Sequence, residues 1–156
     1  MGVNMNDYLL ALQEVPEPVL QKFKAKGWTY TVDFEYMAAL SKKVGMSCIE
    51  ATSYADKTIY MSSAKATLHE FGHFIDGYLG FPSEHQSFFK DESQAASAFL
   101  RDYAQTNCHE YYADYFVYWL RHHNNEEKAA QMQQLTPATF SHFNKLAESD
   151  WTLSHD

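Results

Sequence analysis

The sequence predicts an α+β domain in which a small twisted sheet of about 3–4 strands packs on one amphipathic helix, followed by a mostly helical C-terminal half. Three observations carry that expectation. Short runs at 28–32, 48–54 and 58–61 are rich in β-branched and aromatic residues. Leu68, Phe71, Ile75, Tyr78 and Leu79 recur at helical spacing as one apolar stripe. Beyond residue 81, periods near 3.6 dominate and strand patterns fade. At 156 residues the chain suits one domain, with an α/β part over about 1–80 and a helical part over about 81–156.

Residues 8–13 are apolar enough to form a short helix. Pro16-Glu17-Pro18 opens a second helix running to about Lys26, with lysines in its last turn and Gly27 as its stop. Trp28 to Val32 alternates with period two and predicts a half-buried strand. A helix over Phe34 to Val44 follows, with Asp33 as N-cap and Gly45 at its end. Cys48 to Tyr54 and Thr58 to Met61 predict a hairpin turning at Ala55-Asp56-Lys57. Its second strand leads through Ser62-Ser63 into the helix that carries residues 68–79, with either serine a possible cap and Gly80 and Pro82 as stop signals. Phe81 to Gln94 suggests a loop and one short helix, and 95–107 is ambiguous. Cys108–His122, Glu126–Leu135 and Pro137–Glu148 predict three further helices, the last capped by Thr136.

Composition narrows the function. The net charge of −8, without a basic patch, argues against nucleic acid and anionic membranes as partners. No run approaches the ~18 apolar residues of a membrane-spanning helix. The start of the chain shows no signal peptide, which would make the protein cytoplasmic if nothing precedes it. The two cysteines, Cys48 and Cys108, form no C-x-x-C pair, so neither a thiolate zinc site nor a redox motif is present, and their oxidation state is open.

The chemistry concentrates in Leu68-His69-Glu70-Phe71-Gly72-His73-Phe74-Ile75-Asp76, which contains H-E-x-x-H. Positions i and i+4 of a helix share one face, so His69 and His73 can direct a ring nitrogen at one metal ion. Glu70 flanks them, placed to act as a general base on a water at the metal. Eight histidines in 156 residues make a chance match possible. The amphipathic helix beneath the motif and a third ligand downstream argue against chance.

A catalytic zinc takes three protein ligands and keeps one position open. Asp76, Glu84, His85, His109, Glu110 and Asp114 are candidates for the third. Asp76 follows His73 by one turn on the same rigid helix, where closing a tetrahedron would be strained. It is assigned instead a role supporting the ligands or packing the helix. Glu110 heads a second amphipathic helix and is preferred. Asp114, one turn on, can accept the remaining N–H of a ligand histidine and so orient the ring.

With Thr106-Asn107-Cys108-His109-Glu110-Tyr111-Tyr112-Ala113-Asp114-Tyr115-Phe116 added, the pattern resembles the catalytic domain of anthrax lethal factor and its smaller relatives, including the secreted clostridial Pro-Pro endopeptidases. The similarity spans roughly Asp56 to Trp151 and extends weakly upstream over Pro16–Trp28. It implies a bacterial zincin-like metallopeptidase of the gluzincin type, secreted and binding one catalytic Zn2+ through His69, His73 and Glu110. It further implies that Glu70 activates the zinc-bound water and that Tyr103, seven residues before Glu110, donates its hydroxyl to the oxyanion. Asp114 stands where lethal factor has Glu. His109 precedes the third ligand where these relatives carry Ala or Glu, which makes it a candidate substrate contact. The expected activity is hydrolysis of peptide bonds in an extended protein or peptide substrate by a monomeric zinc metalloendopeptidase. The competing expectations are an inactive protein-binding module on the same fold and an intracellular regulatory peptidase that cuts a single partner. The cleavage motif is not legible in the sequence.

Overall fold

A computed structural model describes residues 5–44 and 50–151. The chain divides into two compact units, Met1–Phe74 and Ile75–Asp156.

In the first unit, α1 (Met5–Gln13) and α2 (Glu17–Ala25) precede β1 (Thr29–Val32), α3 (Phe34–Val44) and the strands β2 (Glu50–Ser53) and β3 (Thr58–Met61). Local chemistry explains the boundaries. Pro18 sits in the first turn of α2, where a missing N–H costs nothing, and Gly27 leaves the helix at φ +79°. The Tyr36 N–H donates to Asp33 Oδ1 at 2.8 Å, so Asp33 supplies the expected cap of α3. The predicted end of that helix at Gly45 and the Cys48 end of the first hairpin strand lie outside the described residues.

The sheet has three strands among the described residues, in the order β1-β3-β2. The β2–β3 hairpin pairs antiparallel, with Thr52 opposite Ile59. β1 pairs parallel to β3, with Tyr30 opposite Ile59, because the chain crosses over through α3 before returning. On central β3, Ile59 and Met61 are fully buried and alternate with half-buried Thr58 and Tyr60. A 3-10 turn, Ala64–Ala66, then leads into α4 (Thr67–Tyr78). Ser63 opens that turn without a side-chain cap bond, which corrects the expectation that it caps the metal-motif helix. Phe23 of α2 packs on Phe71 and Phe74 of α4, at ring distances of 4.8 and 5.1 Å, and forms the aromatic core of this unit.

The second unit begins within α4 and continues through α5 (Pro82–His85), α6 (Phe88–Ala96), a 3-10 turn at Asp102–Gln105, α7 (Cys108–His122), α8 (Glu126–Leu135) and α9 (Pro137–Glu148). The stretch expected to hold one short helix therefore holds two. Gly80 and Phe81, both with positive φ, end the chain's exit from α4, and Pro82 starts α5 directly. Tyr111, Tyr112, Tyr115, Phe116 and Trp119 of α7 are buried, and Phe143 of α9 stacks on Tyr115 at 5.5 Å.

Thr136 does not cap α9 through its side chain, contrary to the expectation from sequence. Its hydroxyl donates to the Met132 carbonyl at 2.8 Å and also meets the Tyr115 hydroxyl at 2.7 Å. Buried Glu92 of α6 takes over the cap. It accepts from the backbone N–H groups of Ala138 and Thr139, both at 2.8 Å, and from the Thr139 hydroxyl at 2.6 Å. A carboxylate at a helix N-terminus is further favoured by the helix dipole.

Candidate metal centre

The period of α4 separates two faces. Leu68, Phe71 and Ile75 go into the core, while His69 and Glu70 are buried at the start of the helix and His73 is half-buried one turn on. The Nε2 atoms of His69 and His73 lie 3.2 Å apart with the rings near perpendicular, at 83°. Two nitrogens on a tetrahedral zinc, each about 2.0–2.1 Å from the ion, sit about 3.3 Å apart. The pair is thus spaced as zinc requires.

Side chains of the sheet hold this helix along its first two turns. The Tyr30 hydroxyl of β1 meets the Thr67 hydroxyl at 2.7 Å. Thr52 of β2 donates to Glu70 Oε1 at 2.5 Å, and the Tyr54 hydroxyl donates to the His73 carbonyl at 2.9 Å. Thr52 lies on β2 and Tyr54 in the turn that follows it. The second oxygen of Glu70 lies 4.0 Å from His69 Nε2. No sequence pattern singled out Thr52, whose partner is 18 residues away.

Glu110 stands in the first turn of α7, where Asn107 caps the helix by accepting from the Glu110 N–H at 2.9 Å. Among the described residues one group of three can hold a metal ion: His69, His73 and Glu110, whose ligand atoms all lie within 4.8 Å of one another. Two imidazoles and one carboxylate form a donor set that zinc accepts and that leaves a coordination position open.

The other sequence-predicted residues are placed as follows. Asp76 is fully buried and accepts from the Ser83 N–H at 3.1 Å and the Ser83 hydroxyl at 2.6 Å, pinning the turn from α4 into α5. Asp114 accepts from Arg101 Nε and Nη2 at 2.8 and 2.9 Å. Tyr103 is exposed on the 3-10 turn before α7, and the Arg101 guanidinium lies 4.8 Å over its ring. His109 Nε2 lies 2.7 Å from Glu84 Oε2, with the Phe81 ring edge-on to the imidazole. Neither His109 nor Glu84, both weighed as third ligands, belongs to the three-residue group. Cys108 is a half-buried free thiol. No helix of the described residues is long and apolar enough to cross a membrane.

No protein-family model matches the chain, and no curated protein matches it.

Proposed function

We propose that this chain is a zinc-dependent metalloendopeptidase of the gluzincin type, built on a zincin-like domain similar to the catalytic domain of lethal factor. The observation that carries this reading is the convergence of His69, His73 and Glu110 with Glu70 buried beside the histidine pair. A zinc ion held by those three residues supplies a Lewis acid that polarises a peptide carbonyl and acidifies water. Glu70 takes a proton from the attacking water through its carboxylate and returns it to the leaving amine. Burial at 3% exposure keeps that carboxylate in one environment while the proton moves. Tyr103, on the 3-10 turn before α7, donates its hydroxyl to the developing oxyanion in this reading. The substrate in this reading is a protein or peptide in extended conformation.

The test begins with metal analysis of the purified protein, followed by digestion of a peptide library read by mass spectrometry. One zinc per chain and discrete cleavage products are expected. Glu70→Gln should keep the zinc and lose the cleavage. Undiminished cleavage by that variant, or a wild-type protein that binds no stoichiometric metal, sinks the proposal.

A further inference from the structure

A general base has two carboxylate oxygens and needs one of them aimed at the reacting water. Glu70 leaves α4 on a flexible side chain, and the helix alone does not set the rotation of its carboxylate. One oxygen, Oε1, receives the Thr52 hydroxyl at 2.5 Å. The other, Oε2, is the one that faces His69 Nε2, at 4.0 Å. Thr52 is itself held by the hairpin, opposite Ile59, a fully buried residue of the central strand. Two residues on, in the turn that follows β2, the Tyr54 hydroxyl donates to the carbonyl of His73, which ties the hairpin to the ligand-bearing turn of α4. Thr52 therefore presents its hydroxyl to Glu70 from a hydrogen-bonded hairpin.

We infer that Thr52 is a positioning residue for the catalytic base, holding Glu70 by Oε1 so that Oε2 is the oxygen that accepts the proton. The inference rests on the peptidase reading for its consequence, but its geometry is independent of turnover. A bifunctional carboxylate with one oxygen fastened cannot present the wrong lone pairs to water, and the entropy of orienting it is removed before substrate arrives. Threonine suits the task on an edge strand, because its β-branched side chain favours extended backbone while the hydroxyl remains a donor.

Thr52→Val keeps the shape and strand preference and removes the donor; Thr52→Ser keeps the donor. In the zinc-loaded protein, Thr52→Val should lower kcat about tenfold to a hundredfold, as loss of an orienting contact to a reacting group does, with KM within about twofold. Zinc stoichiometry should stay at the wild-type value. Thr52→Ser should recover most of the loss. A crystal structure of zinc-loaded Thr52→Val should show the Glu70 carboxylate turned away from its wild-type orientation. The inference is overturned if that carboxylate has not moved, if kcat changes less than twofold, if Thr52→Ser is as impaired as Thr52→Val, or if the valine variant loses zinc. A zinc-loaded wild-type protein that cleaves no peptide of the library would end the peptidase reading instead. The orientation of Glu70 in the variant crystals is read without turnover and decides the role of Thr52 separately.

Discussion

Arg101 grips Asp114 with two guanidinium nitrogens, at 2.8 and 2.9 Å, and the partners differ sharply in environment: the arginine side chain is 62% exposed and the aspartate 7%. The same guanidinium lies over the Tyr103 ring. One residue therefore fastens the turn that carries Tyr103 to Asp114, four residues after Glu110 on α7.

Replacing Arg101 by Lys keeps a charge but loses the planar two-point contact and the stacking surface. Because the arginine is largely solvated, stability should fall by no more than about 1 kcal/mol. Under the proposed peptidase reading activity should suffer more: kcat is expected to drop about tenfold, and Tyr103→Phe to lower it by on the order of a hundredfold. Steady-state kinetics beside a thermal melt separates the two effects. Wild-type turnover in both variants would remove Tyr103 and its anchor from the mechanism.

Glu92 makes a different kind of demand. Its carboxylate accepts from two backbone N–H groups and a hydroxyl at the start of α9, in a buried site. Glu92→Ala should destabilise the protein by about 3 kcal/mol, combining a lost helix cap with donors left unsatisfied away from water. Urea denaturation measures this directly. A loss below about 0.5 kcal/mol would mean that water or Thr136 replaces the cap at little cost.

That cap also marks where sequence reasoning stops. Thr136 before Pro137 is a local start signal, and the helix does begin there. The actual acceptor comes from a residue 46 positions away, and a competing bond from Thr136 to Met132 diverts the local candidate. The same distinction runs through the fold. The His69–His73 spacing, the β2–β3 hairpin and the helices from 108 onward are set by near neighbours and were legible. The parallel pairing of β1 on β3, the 3-10 turns and the Thr52 contact depend on residues brought together from afar, for which a single sequence holds no signal. Asp76 is intermediate: its place on the histidine-bearing helix was evident, but its bonds to Ser83 arise from the tight turn through Gly80 and Phe81.

His142 predicts an acid limb in the stability curve. Burial, with a smaller contribution from Lys145, pushes its pKa down to about 4, and the Tyr112 hydroxyl lies 2.6 Å from its Nε2. A histidine with a depressed folded pKa binds fewer protons folded than unfolded between that value and about 6.5, so its contribution to stability is complete above pH 6.5 and is lost as pH falls toward 4. The loss should reach about 3 kcal/mol. Urea midpoints of wild type and His142→Gln, followed from pH 7 to pH 4, should converge or cross as the wild-type protein alone loses this increment. Parallel curves would show that His142 does not titrate abnormally.

The metal centre can be tested without any substrate. An ion that binds the folded chain and not the unfolded one stabilises it by about 2.7 kcal/mol at a hundredfold excess over the dissociation constant. For a chain of this length that corresponds to a rise of about 5–10 °C in Tm, reversed by a chelator. His73→Ala and Glu110→Ala should each abolish most of the shift, because each removes one of the three residues that could hold the ion. Glu70→Gln should retain it, since the base is not a ligand in the proposed arrangement and the glutamine oxygen can still accept from Thr52. The contrast between Glu110 and Glu70 is what separates a three-ligand zinc site from a histidine pair that collects adventitious metal. If Glu110→Ala keeps the full rise, the third ligand lies elsewhere and the gluzincin assignment falls with it.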